Sequence, residues 1–528
     1  MTAARRALEG IAAESTPAAG RASERLAATA LLAGLVVLAV GLRLQPLILY
    51  PSTAWADEVF QAVEPAHRLV YGYGLVPWEF QLGMRSWLLP GTIAGLLEAT
   101  RLWGAGPQTY LPFLAVSFGL LACGPVICTF LWCRGRFGLA AALAGGLVPA
   151  IAPEMIYFGA RTLSEVVAAH MLMIACYVIE PDRIVASRRR LFAAGLLLGL
   201  VCLLRLQLAP AVAVMALWWG WQDPRARLPA VIAGGAAALM IGGGLDWMTL
   251  GYPFASVWRN IVFNGYIAVG SDISISGWSF YMLGELGVWG AAGPFLLLLI
   301  GLGARQRPAL FLGLLTMVAV HSAIPHKEWR FIYPAVVMAM VLAGIGTALA
   351  VAWAAQRFGG ENQQSRAAAG AAALLMAAWC GTAWAVWHGG ALAPMLQRDH
   401  DNLQAMSFAR SLPEMCGLGI YGWQAWDRFG GYTHLHRPVP MFWPKDEPAL
   451  SESAAGFNTV LYRSPAPPGF YGYKPLQCFG EACVATRPGA CEARPEPMIW
   501  YPPELEPLAP PPATFAGVPA ALRPGTAR

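Results

Sequence analysis

The apolar positions of this chain fall in long unbroken runs, with no period of two or of 3.6 separating a wet face from a dry one. The runs cover residues 26–44, 109–133, 138–158, 162–180, 191–204, 208–221, 228–250, 285–303, 308–324, 331–353 and 367–388. Most of them approach the ~20 residues that carry a helix across a bilayer. The pattern predicts a mainly α, polytopic membrane protein of about eleven transmembrane helices. The two runs beside Arg205 are short and read as half-helices or one broken helix. A cleaved signal peptide competes for the first run. Its length, and the lack of a small-residue cleavage site after it, favour a retained span.

Basic residues between the runs give the orientation. With residues 1–25 as a cytoplasmic tail, Arg134/Arg136, Arg183 with Arg188–Arg190, Arg225/Arg227, Arg305/Arg307 and Arg357/Arg366 all fall inside, as the positive-inside rule requires. The loops 51–108, 251–284 and 325–330, and everything after 389, then lie outside. Within the first loop, segments 59–70 and 87–102 read as short helices lying along the interface. Beyond 389 the pattern becomes mixed, with a helix expected at 399–415 and strands at 418–421 and 458–462. The expected organisation is a tail (1–25), a membrane domain (26–388), a small mixed α/β outer C-terminal domain (389–493) and a Pro-rich tail without packed structure (494–528).

Composition agrees. The chain is 57% hydrophobic and 12% charged, against about 25% charged in soluble proteins, which excludes a large soluble enzyme. The net charge of +6 comes from arginines in short loops and gives no reason to expect nucleic acid. High Ala, Gly, Pro and Arg points to a GC-rich, bacterial genome. Cys123, Cys128, Cys133, Cys176, Cys202 and Cys380 lie in or beside apolar runs, as small hydrophobes. Cys416, Cys478, Cys483 and Cys491 lie in the outer region, and their even number leads us to expect disulfides there. No Cys/His grouping has zinc spacing.

The candidate chemistry sits in the outer loops. Asp57-Glu58 follows the first span directly, and carboxylates that close to a bilayer need a reason to be there. One reason is a general base held near a membrane-borne substrate; an equal alternative is an acidic pair at a helix N-terminus. Glu64, Glu79 and Arg85 follow, set among Trp55, Trp78 and Trp87. In the loop 325–330, His326, Lys327 and Arg330 surround Glu328. Lys offers phosphate a point charge and Arg a fork, with Glu328 to orient them; snorkelling side chains would explain the Lys and Arg but not Glu328 and His326. Arg161, Thr162, Ser164, Glu165, Arg205 and Asp246 stand at span ends, where charges pair or line a cavity. Tyr252, Asn260 and Asn264 bring groups suited to sugar hydroxyls.

These residues resemble a known family. HKEWRFIYP (326–334) is similar to the signature of the GT22 mannosyltransferases of the GT-C superfamily. The first loop, DEVFQAVEPAHRLVYGYGLVPWEF and then MRSWLLPG, resembles the same family's order of DE, Q, EP-H, GxG, WE, RS and P. GARTLSE (159–165) resembles its Arg-Thr-x-Ser-Asn stretch, with Glu165 in place of Asn, and 246–264 resembles its Asp…Asn-x-x-x-Asn loop. GGYTHLHRPVP (430–440) resembles a segment of the glycosylphosphatidylinositol third-mannose branch, while Arg205-Leu206-Gln207 departs from that branch's Arg-Pro-Thr.

The resemblance implies a GT-C fold, a polyprenyl (dolichyl-type) phosphate mannose donor and inverting transfer to a hydroxyl of a lipid-linked glycan. It gives Asp57 the role of base, with Glu58 orienting. His326, Lys327 and Arg330 hold the leaving phosphate, and Glu64, Trp78, Glu79, Arg85, Arg161, Asp246, Asn264 and Glu328 bind or orient substrate. No metal or other cofactor is expected, because the loops show no Asp-x-Asp pair and a leaving monophosphate can be neutralised by side chains. The site is expected on the outer face of a bacterial inner membrane, or on the lumenal face of the endoplasmic reticulum in a eukaryote. The alternative, a transporter or flippase of lipid-linked sugars, would place charges at the bilayer midplane rather than on one face.

Overall fold

The computed structural model describes residues 18–180, 187–266, 275–389, 392, 395–464 and 471–492. The expected features at residues 1–17 and 494–528 lie outside these. Every apolar run became a helix or a pair of helices, and the helices differ in length. Among the described residues six helices are long and apolar enough to cross a membrane: Ala22–Ile48, Pro107–Phe137, Pro224–Leu250, Phe280–Ala304, Trp329–Phe358 and Gln363–Gly389. A bent pair, Leu139–Ile151 with Pro153–Gly159, makes a seventh if counted as one span. Ser164–Ile179, Arg188–Leu204, Ala209–Gln222 and Pro308–Ala323 are shorter. The chain breaks at Arg205, where backbone at φ −147° interrupts the two short helices.

The 58° bend has a local cause. Pro153 has no N–H to give the carbonyl of Pro149, four residues back, and the turn opens. The freed acceptors are taken by Arg43 of the first span. Its Nη2 donates to the Pro149 carbonyl at 2.8 Å and its Nη1 to that of Ala150 at 3.0 Å. Arg43 is fully buried, so these bonds also engage both terminal nitrogens of a guanidinium that the membrane interior would otherwise penalise. The central helix Tyr333–Phe358 is buried along most of its length. It crosses Leu139–Ile151 at Gly145 and Gly344, where a Cβ on either glycine would meet the other's carbonyl oxygen at 2.5–2.7 Å.

The C-terminal part contains the expected helix, at His400–Ser411, and a five-stranded sheet. β1 (Leu418–Tyr421), β2 (Met441–Phe442), β3 (Thr459–Arg463), β4 (Lys474–Phe479) and β5 (Ala482–Thr486) lie in the order β2-β1-β3-β5-β4. β1 runs parallel to both β2 and β3, and β5 antiparallel to β3 and β4. Two disulfides hold it: Cys416–Cys491 ties the start of β1 to the chain beyond β5, and Cys478–Cys483 crosses the β4–β5 hairpin.

This part is locked onto the first loop. Glu64, wholly buried, accepts from the backbone N–H of Leu75 (2.9 Å), Tyr432 (3.2 Å) and Thr433 (2.8 Å) and from the Thr433 hydroxyl (2.7 Å). Gly431 makes room for it: at φ +57°, its Cβ would lie 2.9 Å from Glu64 Oε2. His67 Nε2 meets His436 Nδ1 at 2.9 Å, and Thr53 donates to Asp399 at 2.7 Å. The loops 51–108 and 325–332 and the C-terminal part therefore assemble at one end of the helices.

Candidate active site

Asp57 and Glu58 open a tight turn that continues as a widened helical turn, Val59–Val63, and then as Glu64–Tyr71. Consecutive residues on a helical path point about 100° apart, so the two carboxylates face different surroundings.

Glu58 faces inward. It is buried, takes the backbone N–H of Ala54 at 2.6 Å and pairs with Arg161 Nη1 at 3.1 Å. Arg161, 1% exposed, also donates to the backbone and hydroxyl of Ser52, each at 3.0 Å, and to the Tyr157 carbonyl. This pair staples the first loop to the end of the bent helix. It borders a cavity of about 460 Å³ between the end of the first span, helix Pro107–Leu121 and helix His400–Ser411.

Asp57 faces the other way, its side chain about a quarter exposed. Its Oδ2 lies 2.5 Å from Arg330 Nη2, and Gln61 donates to its Oδ1. Burial pushes the Asp57 carboxyl up to about 6; the Arg330 guanidinium opposes that rise, and Glu79 and Glu328 add to it. A carboxylate held near neutrality is suited to taking a proton. Glu79 is itself held by Arg85 at 2.6 Å. Beside Gln61 and Arg85 lies a cleft of about 70 Å³, which reaches Arg205, Gln207 and Asn260.

Arg330 is the hub. It is 4% exposed, and its Nε donates to Glu328 at 2.6 Å. Its Nη1 lies 3.3 Å from Glu165 Oε1, a charge contact without hydrogen-bond alignment, so this nitrogen keeps an unused donor. Glu165 also faces Arg205 at 3.8 Å. His326 contacts Glu328 at 3.3 Å. Burial alone would raise the Glu328 carboxyl; the His326 hydrogen bond and the Arg330 charge outweigh it and hold it at about 2.

Of the residues singled out in the sequence, the structure brings together Asp57, Glu79, Arg85, His326, Glu328 and Arg330. It separates others. Lys327, expected to hold phosphate, is buried and its ammonium is taken by the carbonyls of Ser276 (3.0 Å) and Ile324. Together with an Ile275–His326 bridge it pins the second outer loop to the motif loop. Glu64 is the clamp described above, its carboxylate taken up by Leu75, Tyr432 and Thr433. Asp246, 2% exposed, accepts the backbone N–H (2.9 Å) and hydroxyl (2.6 Å) of Ser256, and so fixes the start of helix Ala255–Ile261. Trp78 opens the short helix Trp78–Gln81 and is half-buried. Asn264 is exposed, in the helical turn Val262–Tyr266.

The sequence reading passed over Glu154 and Glu285, two carboxyl groups inside apolar runs that bond to each other and to the indoles of Trp289 and Trp329. Charge within a span was the available signal.

The profile of the Alg9-like mannosyltransferase family matches residues 35–436. The chain belongs to this family. Among relatives, it is 28% identical over 283 residues to GPI mannosyltransferase 3 of Yarrowia lipolytica, covering 53% of this chain and 55% of that one. It is 24% identical over 326 residues to GPI alpha-1,2-mannosyltransferase 3 of mouse, covering 60% and 59%. The matches thus span less than two thirds of these relatives' length. In fold it is similar to ArnT from Cupriavidus metallidurans, solved bound to undecaprenyl phosphate, with TM-score 0.54 at 15% identity over 88% of this chain and all of that one. The family matched is the one that the loop motifs resemble, and the fold shared with ArnT is the expected GT-C type.

Proposed function

We propose that the protein is a mannosyltransferase that moves mannose from a polyprenyl phosphate to a hydroxyl of a lipid-linked glycan, with inversion. The observation that carries this reading is the 2.5 Å contact between Asp57 and Arg330. It sets a carboxylate able to take a proton against a cation able to receive phosphate, on two loops that both lie within the matched span 35–436.

In the proposed step, Asp57 accepts the proton of the acceptor hydroxyl as its oxygen attacks the anomeric carbon. The bond from that carbon to the phosphate oxygen breaks on the far side, and the phosphate leaves with the electron pair. The unused Nη1 donor of Arg330 and the half-buried His326 meet the charge that develops. Glu328 orients both. Lys327 acts one step removed, by holding the loop.

The prenyl chain fits the apolar groove of about 460 Å³ that runs between Phe280–Trp289, Pro308–Ala323 and Tyr333–Phe358 up to Ile332 and Glu285. A relative in fold, solved with undecaprenyl phosphate, supports a lipid donor. We place the acceptor on the opposite side, in the cavity whose wall includes Gln108, Gln404 and Ser407. The reading keeps about eleven membrane crossings, with the shorter helices as tilted or partial spans, and puts the site on the outer or lumenal face. Transfer is proposed to need no divalent metal, because a leaving monophosphate can be met by Arg330 and His326.

The test is transfer from synthetic prenyl-phosphate mannose by purified protein in excess EDTA. Product with inverted anomeric configuration is expected. Activity lost in EDTA and restored by Mg²⁺ would overturn the metal-free step; turnover with a nucleotide sugar alone would overturn the donor.

A further inference from the structure

Two carboxyl groups that the proposed reaction does not use lie behind the motif loop. Glu154 is the second residue of the short helix Pro153–Gly159, just past the bend, and is 1% exposed. Glu285 sits in Phe280–Trp289 and is the one acidic residue among those lining the apolar groove. The two side chains hydrogen-bond to each other. Two carboxylates cannot do so without a proton between them, and like charges this close in an apolar setting do not both ionise.

The outer oxygens of the pair are also engaged. Trp289 Nε1 donates to Glu154 Oε2 at 3.1 Å, and Trp329 Nε1 to Glu285 Oε1 at 2.9 Å. The chain of bonds thus joins the bent helix, the groove helix and the turn Trp329–Ile332. Trp329 is the residue before Arg330. Its ring is further fixed by the edge of Phe158, centroids 6.3 Å apart, and Phe158 stacks on Trp55, over which the Arg330 guanidinium lies at 5.7 Å.

We propose that Glu154 and Glu285 are a proton-sharing pair of positioning residues that fixes Trp329, and through it the placement of Arg330 against Asp57. The inference rests on the proposed roles of Asp57 and Arg330. Burying two carboxyl groups is costly where an apolar contact would fill the same space, but no apolar side chain could hold an indole N–H in one orientation. Arg330 must meet Asp57, Glu165 and Glu328 at once, so a small rotation of Trp329 disturbs all three contacts. A prenyl chain in the groove would cover Glu285, dry the pair and tighten the bond to Trp329 as the donor arrives.

The test compares Glu285→Ala with Glu285→Gln. The amide can donate to Glu154 and accept from Trp329, replacing the shared proton. Glu285→Ala is expected to lower kcat roughly 10- to 100-fold, the scale of a misplaced catalytic group, with the acceptor KM unchanged, and Glu285→Gln to recover most of the rate. Equal rates in the two variants, at comparable melting temperatures, would overturn the positioning role. An infrared spectrum at neutral pH supplies a readout that needs no substrate. The wild-type protein should show the carbonyl stretch of a protonated carboxylic acid, lost in Glu154→Gln and in Glu285→Gln. Its absence would overturn the shared proton. No transfer from the prenyl donor by the wild type, with the band present, would count against the proposed function and leave the pair standing.

Discussion

Two arginine–carboxylate contacts lie one residue apart in the first loop. Glu58–Arg161 is closed by its own bonds: it borders the 460 Å³ cavity, but neither side chain is more than 7% exposed, and the other Arg161 bonds go to the Tyr157 and Ser52 carbonyls and the Ser52 hydroxyl. Asp57–Arg330 is shorter, at 2.5 Å, but it is crowded by further carboxylates, its aspartate stays about a quarter exposed, and Arg330 keeps a spare N–H. The first arrangement uses a charge pair as a staple. The second leaves both partners with unfinished chemistry, which is what a site that meets a hydroxyl and a phosphate requires. Like-charged neighbours thus take different roles because a helical turn points adjacent side chains about 100° apart.

The largest effect is expected at the open contact. Asp57→Asn should lose about 10²- to 10⁴-fold in turnover while melting no lower than the parent, since the proton acceptor goes and the packing stays. Steady-state transfer alongside thermal unfolding measures both. A variant that keeps its rate would remove the base from this loop.

At the closed contact the pattern should invert. Glu58→Ala leaves Arg161 buried without its carboxylate, a change that costs about 3–5 kcal/mol. The expected result is a markedly lower melting temperature, and a near-normal rate for the fraction that remains folded. If Glu58→Ala instead folds normally and is inactive, the roles of the two residues are exchanged.

A smaller effect tests the motif loop. Lys327→Met removes the ammonium that holds the Ser276 and Ile324 carbonyls. The loop loosens without losing a phosphate contact, so the donor KM should rise by less than the roughly 10- to 150-fold expected for a lost charged contact of about 1.5–3 kcal/mol. A larger loss, with the melting temperature unchanged, would return Lys327 to the phosphate.

Much of this was legible in the sequence because membrane chains punish stray charge. The runs gave the helices, and DE and HKEWR, polar at the edge of apolar runs, gave the loops that meet. Orientation was not legible. No spacing rule tells that Glu58 turns inward while Asp57 turns outward, or that Lys327 reaches back to its own loop. Glu154 and Glu285 were absorbed into apolar runs, since each looks like a lone defect until the fold pairs them. β2 has two residues, and β4 has Pro475 near its start; neither shows the alternation that marks a half-buried strand. β4 is also an exposed edge, where proline is tolerated.

The finest difference between the two contacts is in their titration. Burial raises the Asp57 carboxyl to about 6, and among the remaining causes Glu79 pushes it up while Arg330 and Arg85 pull it down. A base must be ionised to act, so the rate should fall as pH drops through about 6. Glu79→Gln removes a repelling charge and frees Arg85 from its 2.6 Å partner. Both changes favour the charged form of Asp57, so the acid limb of kcat/KM should move to lower pH by less than about one unit, equivalent to 1.4 kcal/mol. Stability should follow with the same sign. The folded value of about 6 lies above the ordinary 3.8, so the folded state holds the proton more tightly. Asp57 therefore costs stability increasingly as pH rises through that window, and in full above it. Glu79→Gln reduces that cost at pH 8, and the cost itself vanishes well below 3.8, where Asp57 is protonated folded or unfolded. The melting difference made by Glu79→Gln at pH 8, measured in the parent and again in an Asp57→Asn background, isolates this contribution from any loss of the Glu79–Arg85 contact itself. An acid limb that stays in place, with the two melting differences equal, would mean that Asp57 does not feel Glu79 and that the open contact owes its titration to Arg330 and burial alone.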